Sequence, residues 1–172
     1  VVEKALVDFN SEIIEKLKKK ECKAAGLNVS QNNIFIVEQE NVSLGFVGRP
    51  KKVLNEKILT IVDQQQIPII SPMGKDIEGE KYNINADTAA ASIAKSLRSR
   101  RLLLMTDVVG VYDKNKKLIN EIKPAEAKDL IDKKIVEGGM IPKLLNSIDA
   151  IENGVKGVVI IDGRKLHSIL YE

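Results

Sequence analysis

The run Arg101-Leu102-Leu103-Leu104-Met105-Thr106-Asp107-Val108-Val109-Gly110 decides the fold class. Four apolar residues in succession, followed at once by a hydroxyl, an acid and later a glycine, read as a short strand buried on both faces that ends in a polar loop. Downstream the same alternation continues. Pro124 to Lys133 predicts a helix with proline in its first turn, and Met140 to Glu152 a second helix closed by Asn153-Gly154. Gly157 to Ile161 is another buried strand. Upstream, Ala86 to Leu97 predicts a small-residue helix, Ile67 to Ile70 a strand and Leu54 to Val62 a helix. Strands with no wet face that alternate with helices imply a parallel sheet covered on both sides, and hence the α/β class.

Nearer the start the pattern changes. Val1 to Val7 has helical spacing without a capping residue ahead of it, and Asn10-Ser11 is expected to cap a second helix with Ile13, Ile14 and Leu17 inward and Lys16, Lys18, Lys19 and Lys20 in water. From Ala24 to Val47 the runs Ile34 to Val37 and Leu44 to Val47 lie between Asn, Gln and Ser clusters, which predicts a small antiparallel hairpin region. Leu166 to Glu172 is an amphipathic stretch with no terminator. A start without Met or cap and an end without a stop signal are expected of a piece of a longer polypeptide. No linker-like segment marks a domain boundary.

Composition narrows the function classes. The formal charge is only +3, from 27 basic against 24 acidic residues, and no basic stripe suggests nucleic acid. With no Trp, three Phe and three Tyr, base-stacking platforms have little material. Apolar runs stop far short of the ~20 residues that span a bilayer. The one cysteine, Cys22, excludes an internal disulfide framework and fits a reducing compartment, so a cytoplasmic protein is expected. Cys22 has no ligand-spaced neighbours and His167 stands alone, so no metal site and no Cys-His dyad is expected.

In open α/β sheets ligands bind beyond the carboxyl ends of the strands, which directs attention to three loops. Tyr82-Asn83-Ile84-Asn85-Ala86-Asp87-Thr88 delivers two amides and a carboxylate to a helix start. Capping alone explains one such group, but three at i, i+2 and i+4 exceed that need. Thr106-Asp107-Val108-Val109-Gly110-Val111-Tyr112-Asp113 fits an ordinary turn or a ribose-facing loop equally well. Glu137-Gly138-Gly139-Met140-Ile141-Pro142-Lys143 opens a helix with two glycines and a lysine. A cation there opposes the helix dipole, whereas exposed N–H groups plus a lysine suit a phosphate. Neither a G-x-x-x-x-G-K-[ST] string nor a G-x-G-x-x-G fingerprint occurs.

Taken together, these three loops, Ile161-Asp162-Gly163-Arg164, and Leu44-Gly45-Phe46-Val47-Gly48 resemble the acetylglutamate kinases of the amino-acid kinase family in order and spacing. The resemblance implies an open, mostly parallel αβα sandwich that phosphorylates the side-chain carboxylate of N-acetyl-L-glutamate with ATP, in arginine biosynthesis. Carried over, it makes Asp87 and Lys143 catalytic, Asp87 as the organiser of catalytic lysines and Lys143 as the cation on the transferring phosphoryl group. Asn83 and Asn85 become acceptor contacts. Thr106, Asp107, Gly110, Val111, Gly139 and Met140 become parts of the nucleotide pocket, with Mg²⁺ held mainly by the ATP phosphates. Residues from about 1 to 70 would belong to the substrate and dimer half and about 71 to 172 to the nucleotide half. A homo-oligomer, dimer or hexamer, is implied too.

The chain departs from that family in places. The family's first-strand lysine, its two glycine-rich loops and its G-x-R-x-T arginine are not in these residues, so the chain alone is expected to be inactive. Val159 stands where arginine-inhibited members have His, Glu172 matches their later Glu, and Ser30-Gln31-Asn32-Asn33 replaces a G-K-D-G turn. Two other readings stand beside the kinase: a non-catalytic nucleotide or amino-acid sensor on the same fold, and a family kinase acting on glutamate, aspartate, carbamate or uridylate.

Overall fold

The computed structural model describes residues 1–171, and of Tyr171 the backbone only. Glu172 therefore lies outside the described residues. The chain divides into two compact units, Val1–Ala89 and Ala90 onward.

In the first unit, the two helices expected at the start are one, α1 (Val2–Lys18). Asn10 does not cap a second helix; it is buried inside the first, where its Nδ2 donates to the Ile69 carbonyl at 2.8 Å and to Ser71 Oγ at 3.3 Å. Ser11 Oγ donates back to the Val7 carbonyl. Partners distant in sequence thus satisfy the amide that would otherwise compete for the local backbone. The four lysines near its end are exposed, as expected. Strand β1 (Ala24–Leu27) pairs in parallel with β4 (Ile67–Ile70), residue Ala24 against Ile67 through Leu27 against Ile70. Between them lie β2 (Phe35–Gln39), β3 (Gly48–Val53) and α2 (Asn55–Asp63). β2 does form an antiparallel hairpin, but its partner β3 lies beyond the expected run Leu44 to Val47, and β1 belongs to a parallel pair. The run Leu44 to Val47 is not a strand. A 3₁₀ turn, Val42–Leu44, is capped by Asn41 Oδ1, and only Val47 makes a bridge, to Asn83.

What reads as a loop after Ile70 contains a second hairpin, β5 (Met73–Lys75) and β6 (Lys81–Asn83). Asp76 Oδ1 organises its turn by accepting the Glu78 and Glu80 amides, both at 2.9 Å. These four strands make one sheet in the order β3-β2-β5-β6, with β2 and β5 parallel. Gly74 makes the β2–β5 approach possible: a Cβ there would lie 2.5 Å from Val37 Cγ1 and 2.8 Å from the Phe35 carbonyl oxygen. Phe35, buried completely, and Ile84 belong to the core of this unit.

Helix α3 (Ala86–Ser96) leads into the second unit, where β7 (Leu102–Thr106) and β8 (Val158–Asp162) pair in parallel, Leu102 against Val158 through Thr106 against Asp162. Its alanines let it pack closely, since Ala91 and Ala94 share a core with Leu102, Leu104, Ala150 and Val155. Helices α4 (Pro124–Asp132) and α5 (Met140–Glu152) start and stop near the predicted places, α4 with Pro124 at N1 and α5 before Asn153 and Gly154, the glycine at φ +100°. α5 runs back along the strands. Ala150, near its end, packs with Leu102 and Val155, whereas Leu144 and Ile148 join Val111, Ala127 and Val136 in a second core. The predicted amphipathic stretch after Arg164 is only a 3₁₀ turn, Ser168–Tyr171, with Leu166 and Leu170 exposed. Buried helix faces and strands apolar on both sides make this a mixed α/β fold with mostly parallel strand pairing.

Candidate active site

The Asn83 to Asp87 run starts on an edge strand and ends in a helix. Along β6 the side chains alternate, so Lys81 and Asn83 share one face while Tyr82 takes the other and is buried. Asn83 is half-buried, and its N–H donates to the Phe46 carbonyl at 2.9 Å. The Ile84 N–H donates to the Pro72 carbonyl at 2.9 Å, which anchors the chain between the two asparagines. Tyr82 packs against Phe46 with ring centroids 5.9 Å apart. Burial first, and then the charge of Asp76, pushes the Tyr82 hydroxyl pKa up, so it remains a neutral packing group.

Asn85 is the helix cap. Its Oδ1 accepts the Asp87 N–H at 3.0 Å and the Thr88 N–H at 3.1 Å, two of the four amides that a helix start leaves without partners. Capping thus accounts for Asn85 without a ligand. It accounts for neither Asn83, which precedes the helix, nor Asp87, which is half-buried in the first turn where the dipole favours a carboxylate. These three residues belong to the first unit.

The remaining candidates lie in the second unit. Thr106 ends β7 in register with Asp162 at the end of β8, and its Oγ1 donates to Asp107 Oδ1 at 3.2 Å. The Gly163 N–H donates to the Thr106 carbonyl at 2.8 Å and ties the two strand ends together. Asp162 holds Arg164 in a fork, Nε to Oδ1 and Nη2 to Oδ2 both at 2.9 Å, and also accepts the Arg164 N–H. That guanidinium brings the Asp162 carboxyl down to about 2. Beyond Asp107, which is exposed, Tyr112 bridges Leu118, and Asp113 Oδ1 accepts the Asn115 and Lys117 amides at 2.8 Å. Asp113 is therefore a turn former. Gly110 and Val111 are buried and line a cavity of about 870 Å³, together with Leu144, Ile148, Val159 and Ile161. Thr106, Asp107, Gly139, Met140 and Lys143 do not line it, although Met140 packs against the same core as Val111.

The glycine pair before α5 splits into two cases. Gly138 sits at φ +58°, the left-handed region that favours glycine, whereas Gly139 has ordinary helical angles of −66° and −11°. Among the described residues, nothing beyond the adjoining backbone comes within 4 Å of where a Cβ would stand on either. Neither backbone geometry nor packing requires Gly139 to lack a side chain, and it leaves open space over the helix start. Lys143 lies half-buried in the fourth helical position, with no acid in that first turn. Among the described residues, no three His, Cys, Asp or Glu side chains gather to hold a metal, and no helix is long and apolar enough to cross a membrane.

A parallel α/β fold with polar loops at its strand ends and a glycine-opened helix defines a class, and comparison identifies it: residues 1–162 match the amino acid kinase family, to which the chain belongs. Within that family, it is 50% identical over 172 residues to the acetylglutamate kinase of Pelagibacter ubique, covering all of this chain and 60% of that one. It is 39% identical over 163 residues to the acetylglutamate kinase of Ruegeria pomeroyi, covering 95% and 57%. The chain therefore spans about 60% of the length of these curated relatives. A solved structure from Streptococcus mutans superposes with a TM-score of 0.85 at 30% identity, over 92% of this chain and 65% of that one. Carbamate kinase from Giardia lamblia, bound to AMP-PNP, shares the fold with a TM-score of 0.67 at 18% identity, over 89% and 61%.

The sequence alone does not single out Lys81, the Phe46 carbonyl or the Pro72 carbonyl. The latter two are backbone groups with no side-chain signature, and the first reads as one lysine among many.

Proposed function

We propose that this chain carries most of the nucleotide half and part of the acceptor half of an ATP-dependent kinase that phosphorylates the side-chain carboxylate of N-acetyl-L-glutamate. The product is N-acetylglutamyl 5-phosphate, in arginine biosynthesis in the cytoplasm. One observation carries the reading: 50% identity to an acetylglutamate kinase over 172 residues, the whole of this chain.

The chemistry suits the residues. A carboxylate is already ionised at neutral pH, so the acceptor needs no general base, and what remains is positioning and neutralisation of charge. In this reading Asn83 and Asn85 hold the acceptor, the latter while also capping α3. Asp87 organises the lysines, and Lys143 at the helix start opened by Gly139 stabilises the transferring phosphoryl group. Thr106, Asp107, Gly110, Val111, Gly139 and Met140 form the nucleotide pocket, and the cavity beside Gly110 and Val111, which has both apolar and charged residues in its lining, has the size of a small-molecule site. Mg²⁺ is carried by the phosphates of ATP, a role that requires no dedicated protein cage. The active form is a homo-oligomer.

Hydroxylamine trapping of acyl phosphate by the full-length protein tests this. Acetylglutamate-dependent hydroxamate is the expected result, with none from glutamate or aspartate and no acceptor-dependent ADP release with carbamate or uridylate. ATP binding without product on any acceptor identifies a sensor and overturns the kinase.

A further inference from the structure

Resting on that reading, we propose that Lys81 is a positioning residue for the acceptor: its ammonium, held by Glu3 and Ser30, pins the start of β6 and thereby sets where Asn83 stands. Three elements meet at this ammonium. Lys81 Nζ lies 2.7 and 2.9 Å from the two Glu3 carboxylate oxygens, in the first turn of α1, and donates to Ser30 Oγ at 3.1 Å. Ser30 also donates to Glu3, and its own backbone N–H is held by Asn28 Oδ1 at 3.1 Å. The triangle is closed on all sides. Both carboxylate oxygens of Glu3 are committed to Lys81, and the hydrogen bonds from Lys81 first and Ser30 second draw the Glu3 carboxyl below its usual range. Lys81 therefore has its counter-ion within the protein and is not itself the acceptor's ligand.

β6 has reason to need such a tether. It is three residues long, stands at the edge of its sheet, and follows a turn whose Ile77 is exposed. Pairing with β5 holds one side, and on the other the Asn83 N–H meets Phe46. Lys81 and Asn83 share a face and stand roughly 7 Å apart along the strand. Tyr82 and Ile84 are buried and act as a fulcrum, so a swing at Lys81 is passed to Asn83. The Lys81 and Glu3 side chains are 38% and 31% exposed, and ion pairs of this kind add little to stability. A hydrogen bond weakened between a displaced Asn83 and the acceptor, by contrast, is lost directly from acceptor binding. The clamp thus affects alignment more than folding.

Lys81→Met and Glu3→Gln in the full-length enzyme separate these effects. In both, the KM for acetylglutamate is expected to rise roughly tenfold, equivalent to about 1.4 kcal/mol. The KM for ATP, kcat and the melting temperature should stay near wild type, and Lys81→Arg should restore most of the acceptor affinity. An unchanged acceptor KM in both variants, or equal rises for both substrates, overturns the positioning role. A melting temperature lowered in step with the KM does the same, since the triangle is then merely structural. If the wild type is inert with acetylglutamate but active on another acceptor, the function above falls, and the same KM split on that acceptor decides the clamp. A wild type inert on all acceptors overturns both.

Discussion

At the scale of single residues, the candidate polar groups are of two kinds: those that accept the amides of a helix start and those that have no lone pair with which to do so. Asn85 belongs to the first kind through its two backbone bonds, so Asn85→Ala should lower stability by about 1 kcal/mol in urea unfolding. Asn85→Asp retains a capping oxygen and should preserve stability. A raised acetylglutamate KM in that variant would reveal the second duty assigned to Asn85. Lys143 belongs to the other kind, a cation in the first turn of a helix that offers it no acid there. Lys143→Ala in the full-length enzyme is expected to reduce kcat by ~10² to 10³, the usual cost of one charge-stabilising contact, with a much smaller change in acetylglutamate KM. Equal losses in both quantities would remove its assigned role. The three groups at i, i+2 and i+4 were legible in the sequence as an excess over capping; which of them is the cap required coordinates.

At the scale of elements, the close approach of β2 and β5 depends on a missing side chain. In Gly74→Ala the new methyl would meet a backbone oxygen as well as Val37, and a carbonyl within a strand cannot move aside. The expected loss is about 1 to 3 kcal/mol, read as a lower urea midpoint. Because β6 pairs with β5, acceptor affinity should fall as well. Helices were easier to read than strands here. α2, α4 and α5 start and end close to the positions set by Pro124, Asn153, Gly154 and the apolar spacing, all local signals. The three-residue strands β5 and β6 are too short to show a period, and Leu44 to Val47 has strand-forming composition yet no continuous partner.

At the scale of the whole molecule, each unit has its own core, and the stability of the second depends on acid through Asp162. Its folded carboxyl titrates at about 2 against an ordinary 3.8, so the deprotonated form favours folding above pH 3.8, and that contribution is lost as pH falls through about 2. Melting curves of wild type and Arg164→Gln should therefore differ near neutrality and converge over that interval. A gap that persists at pH 2 would show that the Asp162–Arg164 fork is not its source. The amino-acid sequence by itself determined the strand and helix alternation, the glycine-opened start of α5 and the family, because periodicity, caps and motif spacing are properties of neighbouring residues. Only the tertiary structure decided that Asn10 is an interior hydrogen-bond donor, that β1 pairs with β4, and that Lys81 is held by Glu3. Each depends on a partner more than forty positions away, and the free energy of such a meeting is set by packing that no local pattern records.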